Sequence, residues 1–126
     1  MQTPMIVSIV DDDENVRVAT CSLVRSLGCK VRDYASAEAF LRADGLREVH
    51  CVISDVQMPG MDGIEMQRRL NETPGAPPVI FISAFGSEAR RSEALANGAL
   101  CFLDKPVDGD VLLACLEKLG QNADGV

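Results

Sequence analysis

Charged and hydroxyl side chains stand where apolar runs end. MIVSIV (5–10) gives way to Asp11, Asp12 and Asp13; CVISD (51–55) finishes on Asp55; PVIFIS (78–83) finishes on Ser83; and LCFL (100–103) leads into DKP, with Lys105 beside Pro106. Two or three carboxylates within a few ångströms repel one another, so gathering them is costly without a cation. Oxygen donors with no accompanying Cys/His set suit magnesium, or manganese, rather than zinc. Each residue alone has a plainer reading. An aspartate after a strand is ordinarily an N-cap or loop former, and Asp13, which opens a helical pattern, is read that way. A lone lysine is ordinarily solvated, and a serine after a strand is a turn former. The conjunction, in this order along the chain, is what points to a site.

The elements needed to bring these residues together are visible as alternating patterns. MIVSIV, CKVRDY (29–34), CVISD, PVIFIS and LCFL are short, largely aliphatic or β-branched runs of strand length. The first, third and fourth are nearly continuous in hydrophobicity, as central strands covered on both faces would be, whereas CKVRDY alternates like an edge strand. Between them, residues 13–27 carry Val16, Ala19, Leu23, Val24 and Leu27 at core-facing helical spacing. Ser36 can cap a second helix bearing Ala39, Phe40 and Ala43. Further helices are predicted over 63–71, 87–97 and about 107–119, the last with Leu112, Cys115, Leu116 and Leu119 on one face. Helix 87–97 has few large apolar residues, and Leu113 lies off the main stripe of the last helix.

Strands separated by helices run parallel through right-handed crossovers, with helices on both faces of the sheet. The fold class is α/β, a doubly wound five-stranded (βα)5 arrangement. Ligands of such sheets bind outside the carboxyl ends of the strands, which is where Asp11, Asp12, Asp55, Ser83 and Lys105 fall. One domain over 1–120 is expected, with 121–126 a frayed tail or a truncated linker.

The chain has 126 residues, 47% apolar and 25% charged, a composition that excludes wholesale disorder. Its net charge of −7 argues against direct binding to nucleic acid or an anionic membrane. No apolar run is long enough to span a bilayer and the N-terminus lacks a signal-peptide pattern, so a cytoplasmic location is expected. The five cysteines form no CxxC pair and the single histidine, His50, has no ligand-like spacing, so the thiols are read as small buried hydrophobes.

Four motifs, VDDDE (10–14), SDVQMPGMDG (54–63), ISA (82–84) and NGALCFLDKP (97–106), occur in order and together resemble the receiver domain of bacterial two-component response regulators. The likeness spans about residues 5–120, and YASAEAFL (34–41) is similar to regulators of the nitrogen-fixation and nitrate-response type. It implies a flavodoxin-like strand order 2-1-3-4-5 and a signalling switch rather than a metabolic enzyme. By resemblance, Asp55 is the phosphoacceptor, charged from a phosphohistidine on a sensor histidine kinase or phosphotransfer protein in a phosphorelay. Asp12 and Asp11 match the acidic magnesium ligands, with Asp55 and the Gln57 backbone carbonyl completing the protein's donors. Lys105 matches the lysine that pairs with the phosphoryl group, and its bond to Pro106 is expected to be cis. Ser83 and Phe102 match the switch hydroxyl and switch aromatic. Gln57 and Phe85 match positions that influence phosphate lifetime, and bulky Phe85 implies slow self-dephosphorylation. A homodimer through the fourth- and fifth-helix face on phosphorylation is a further expectation, as is control of an output domain, including transcription.

Two other readings compete. Asp11-x-Asp13 is similar to the D-x-D of aspartyl-phosphate phosphatases on a related sheet, but that reading leaves SDVQMPGMDG without a role and the chain has little room for a substrate cap. A degenerate receiver serving only as a protein-binding surface would be expected to have lost site residues, and none of those matched is missing.

Overall fold

The structure, a computed structural model, describes residues 4–43, 48–84 and 86–124, with the side chains of the last helix described through Leu119. The elements alternate as β1 (Ile6–Val10), α1 (Glu14–Ser26), β2 (Lys30–Tyr34), α2 (Ala37–Arg42), β3 (Cys51–Asp55), α3 (Gly63–Asn71), β4 (Val79–Ser83), α4 (Glu88–Ala96), β5 (Cys101–Asp104) and α5 (Gly109–Asp124). All strand pairs are parallel, in the order β2-β1-β3-β4-β5. The strand order reverses between β1 and β3, whose C-terminal ends carry the acidic residues; this is the switch point where such sheets bind ligands.

Side chains alternate across the sheet and build a core on each face. Cys51 and Ile53 of β3 and Ile80 and Ile82 of β4 meet Cys21 and Val24 of α1 and Leu112, Cys115 and Leu116 of α5. Val52, Val79 and Phe81 face the other way, toward Phe40 of α2, Ile64, Met66 and Leu70 of α3, and Ala94 of α4. Burial on both faces explains the unbroken apolar runs of β1, β3 and β4, and the half-exposed pattern of β2 fits its edge position.

Helix starts follow the capping residues. Asp13, Ser36, Asp62 and Ser87 accept from the backbone N–H three residues on at the starts of α1, α2, α3 and α4. At α5 the Asp108 carboxylate accepts from the N–H groups of Asp110 and Val111.

Two expectations need correction. Ala19 is exposed, whereas Thr20 and Cys21 are buried. Val16, Ala19 and Leu23 instead line an outer groove of about 490 Å³ with Pro106 and Val107. Alanine is counted as apolar in a periodicity reading but gains little from burial, so neighbours of larger area set which face turns inward. The last helix also continues to Asp124, through most of the stretch read as a frayed tail. Gly120 lowers helix propensity without ending a helix that already has about three turns before it, packed on the core through Leu112, Cys115 and Leu116.

All five cysteines are free, four of them buried and Cys29 half-buried. Burial pushes the Cys51 and Cys115 thiols up to about 12, which keeps them protonated and inert at neutral pH. His50 is tied into the fold, its Nδ1 accepting from the Ile6 N–H at 3.0 Å.

Candidate functional site

The loops after β1, β3, β4 and β5 meet at one rim. Asp11 and Asp55 each end up beside Lys105, whose Nζ lies 3.2 Å from Asp11 Oδ2 and 3.1 Å from Asp55 Oδ2. Carboxylate oxygens of Asp11, Asp12 and Asp55 lie within 4.8 Å of one another. Asp12 is exposed while Asp11 is only 5% exposed, so the cluster has one wet and one dry side. Asp12, Asp55, Gln57, Ser83 and Lys105 line a cleft of about 300 Å³. Gln57 reaches Asp55 through its backbone, its N–H donating to Oδ1 at 3.4 Å.

The local geometry follows from the sequence at each junction. The β3–α3 connection closes with the Gly63 N–H donating to the Val56 carbonyl at 2.8 Å, directly after the Asp62 cap. A Cβ at residue 63 would stand 2.3 Å from the Asp55 carbonyl oxygen and 2.9 Å from the Phe81 ring, so only glycine lets α3 start this close to the end of β3. At β5, the Lys105 N–H donates to the Ser83 carbonyl at 3.0 Å, which binds the lysine-bearing loop to the end of β4. The Lys105–Pro106 peptide is cis.

Electrostatics match the geometry. Burial pushes the Asp11 carboxyl above the usual carboxylate range, against the Asp13 amide and the Lys105 ammonium, which pull it down. Burial draws Lys105 toward its neutral form, but its contacts with Asp55 and Asp11 outweigh this and hold its pKa above the usual lysine value. A partly dry acidic cluster with one lysine is thus under-compensated and suited to a divalent cation. The donors are all oxygen, at least one faces water, and no thiol or imidazole joins the cluster among the described residues. The residues fit a magnesium-type ion.

Ser83 is buried at the end of β4 and lines the same cleft as Asp55 and Lys105. Phe102 is also buried, its ring 6.1 Å from that of Phe81, with Arg91 donating to its carbonyl at 3.1 Å. Gly86 separates the two: a Cβ there would stand 2.7 Å from the Phe102 ring and 3.6 Å from Ser83 Cβ. Phe85 lies outside the described residues. Asp13 belongs to the cap of α1, its Oδ1 accepting from the Val16 N–H, and its own N–H donates to Asp11 at 2.9 Å.

Three contributors escaped the sequence reading. Arg17 donates to the Asp11 carbonyl at 2.8 Å, and Gly86 makes room for Phe102. The Glu38 carboxylate of α2 rests against Gly60 and accepts from the Met61 N–H at 3.5 Å. The signals were slight: an arginine one turn into α1, a glycine after the fourth strand, and an acid at the start of α2.

Known proteins bear on the same geometry. The family described as "Response regulator receiver domain" matches residues 7–117. The response regulator protein TmoT of Ectopseudomonas mendocina is 41% identical over 111 residues, 88% of this chain and 50% of that protein. The transcriptional regulatory protein FixJ of Azorhizobium caulinodans is 34% identical over 125 residues, 98% of this chain and 59% of that protein. The crystal structure titled FixJ-N superposes with a TM-score of 0.83 at 32% identity, covering 96% of each chain. The response regulator StyR superposes with a TM-score of 0.84 at 37% identity, covering 97% of this chain and 62% of that one. The chain thus spans about half to three-fifths of the length of these curated relatives. With its sheet order, acidic rim and these relatives in agreement, the chain belongs to the response regulator receiver domains of two-component signalling.

Proposed function

We propose that this chain is a phosphorylation-controlled switch in which Asp55 accepts a phosphoryl group from a phosphohistidine on a sensor histidine kinase or phosphotransfer protein. The observation that carries the reading is the convergence of Asp11, Asp12, Asp55 and Lys105 on one cleft at the strand-order reversal. An Asp55 oxygen forms the new P–O bond as the P–N bond to the imidazole breaks and the imidazole takes up a proton. A carboxylate needs no general base for this at neutral pH, and the resulting acyl phosphate is labile enough to serve as a reversible signal.

Asp11, Asp12, Asp55 and the Gln57 carbonyl would hold Mg²⁺, with Mn²⁺ a substitute. Bound there, the ion would neutralise phosphoryl oxygens during an in-line transfer. Lys105 already touches Asp55 and exchanges that contact for a phosphoryl oxygen once the group is in place. Ser83 then donates to the phosphoryl group and draws the β4–α4 loop inward, with Phe102 filling the space beneath it. Gln57 and Phe85 match the positions that influence phosphate lifetime in the family; a phenylalanine side chain cannot orient a water, so self-dephosphorylation is slow.

The α4–β5–α5 face carries exposed Leu95, Val111 and Leu113 and is the surface through which phosphorylated chains pair. The relatives named as transcriptional regulators support a role upstream of a transcription output; the proposed place of that role is the cytoplasm. A D-x-D phosphatase loses support because Asp13 is committed to capping α1. Incubation with a small phosphodonor and Mg²⁺, read by intact mass, tests the proposal. One phosphoryl group should be gained, and neither Asp55→Asn nor chelated wild type should gain any. An unchanged wild-type mass contradicts the reading.

A further inference from the structure

The acidic loop after β1 is anchored from behind by a pair of residues that the phosphoryl chemistry does not use. Arg17, one turn into α1, donates from Nη1 to the Asp11 backbone carbonyl at 2.8 Å and from Nε to Asp33 Oδ2 at 3.0 Å. Its side chain is only 15% exposed, whereas that of Asp33, on edge strand β2, is 48% exposed. The N–H of Asp11 donates to the Tyr34 carbonyl at 3.2 Å, so both sides of this residue's backbone are tied to β2, one of them through Arg17. The carbonyl that Arg17 grips belongs to the peptide joining Asp11 to Asp12. Rotation of that peptide would swing both carboxylates relative to Asp55.

We propose that Arg17, oriented by Asp33, is a positioning residue that holds the Asp11–Asp12 peptide in the attitude needed to bind a divalent cation. The guanidinium suits the task because its planar fork serves two acceptors at once in fixed directions, which an ammonium cannot do. The inference rests on the reading of Asp11, Asp12 and Asp55 as the cation site, and it assigns Arg17 no contact with the cation or the phosphoryl group.

The sign of the effect separates positioning from simple charge. Arg17 is a cation near a cation site, so on Coulomb grounds its removal should tighten Mg²⁺ binding. If its role is to orient the peptide, removal should weaken binding instead. Calorimetric titration of the whole chain with MgCl₂, beside thermal melting in metal-free buffer to verify folding, decides between them. Arg17→Met is expected to bind Mg²⁺ about tenfold more weakly, the scale typical of losing a residue that orients a metal ligand. Arg17→Lys preserves the charge but not the two-acceptor fork, and should also weaken binding. A folded Arg17→Met with equal or tighter affinity overturns the proposal. Should Arg17→Met fail to fold, Arg17→Lys decides by the same measurement, an affinity equal to wild type being the contradicting result. Absence of Mg²⁺ binding by the wild type would instead overturn the cation site itself, and the positioning role with it.

Discussion

At the scale of single residues, Asp11 carries a stability cost that the proposed cation would relieve. Its folded pKa is raised by burial, so the folded state holds the proton more tightly than the unfolded chain does. The stabilisation linked to that proton is fully present below the unfolded value and is lost as pH rises through the elevated folded value. At pH 7 the ionised carboxylate therefore burdens the metal-free fold. Asp11→Asn should raise the thermal midpoint in metal-free buffer at pH 7 and reduce the further rise on adding Mg²⁺. Melting with and without the ion checks both halves. Lowering the pH should weaken Mg²⁺ binding from above the ordinary carboxylate range downward, as Asp11 takes up its proton. Phe102 is a second residue with a measurable consequence. Its buried ring packs on Phe81 and against Gly86, so Phe102→Ala should cost about 3 kcal/mol or more in denaturant unfolding through the cavity it leaves.

Among the helices, α4 has the fewest buried residues of those described. Ala94 is its one buried residue, and polar contacts from α3 supply much of the remaining attachment. Gln67 Nε2 donates to the Ala94 carbonyl at 2.9 Å, Asn71 donates to the Asn97 carbonyl at 2.8 Å, and Arg68 bridges to Glu93. Segments with little apolar burial open locally at low cost, which suits the face that the proposed switch would move. Amide hydrogen exchange should be faster in α4 than in β1, β3 and β4; equal protection would remove the basis for treating α4 as the mobile element. The β3–α3 junction is the opposite case, closely fitted around Gly63. Gly63→Ala should destabilise by roughly 1–3 kcal/mol or displace the end of β3, because the new methyl group would meet backbone rather than a yielding side chain.

Across the whole molecule, what could be read from sequence follows the physics of each feature. Central strands covered on both faces leave continuous apolar runs, so β1, β3 and β4 and the residues at their ends stood out. Caps leave short-range signatures, and Ser36, Asp62 and Ser87 stand where such signatures fall. Arg17 and Glu38 were hidden because their roles arise only when α1 meets β2 and α2 meets the β3–α3 loop, contacts with no local pattern. Ala19 was misplaced because a methyl group has little preference between core and groove. The same scale carries the expectation for assembly. Phosphorylated chain should dimerise through the α4–β5–α5 face, and Val111→Glu should leave it phosphorylated yet monomeric in light scattering; a dimer that persists in that variant would move the interface elsewhere.

The central claim is that the end of β3 carries the phosphate, and chemical trapping addresses it most directly. Borohydride reduction of the phosphorylated chain converts an aspartyl phosphate to homoserine, which peptide mass mapping can locate. Homoserine at position 55, and at neither Asp11 nor Asp12, is the expected result. Homoserine at either of those aspartates, or at no aspartate in chain that has demonstrably gained a phosphoryl group, would contradict it.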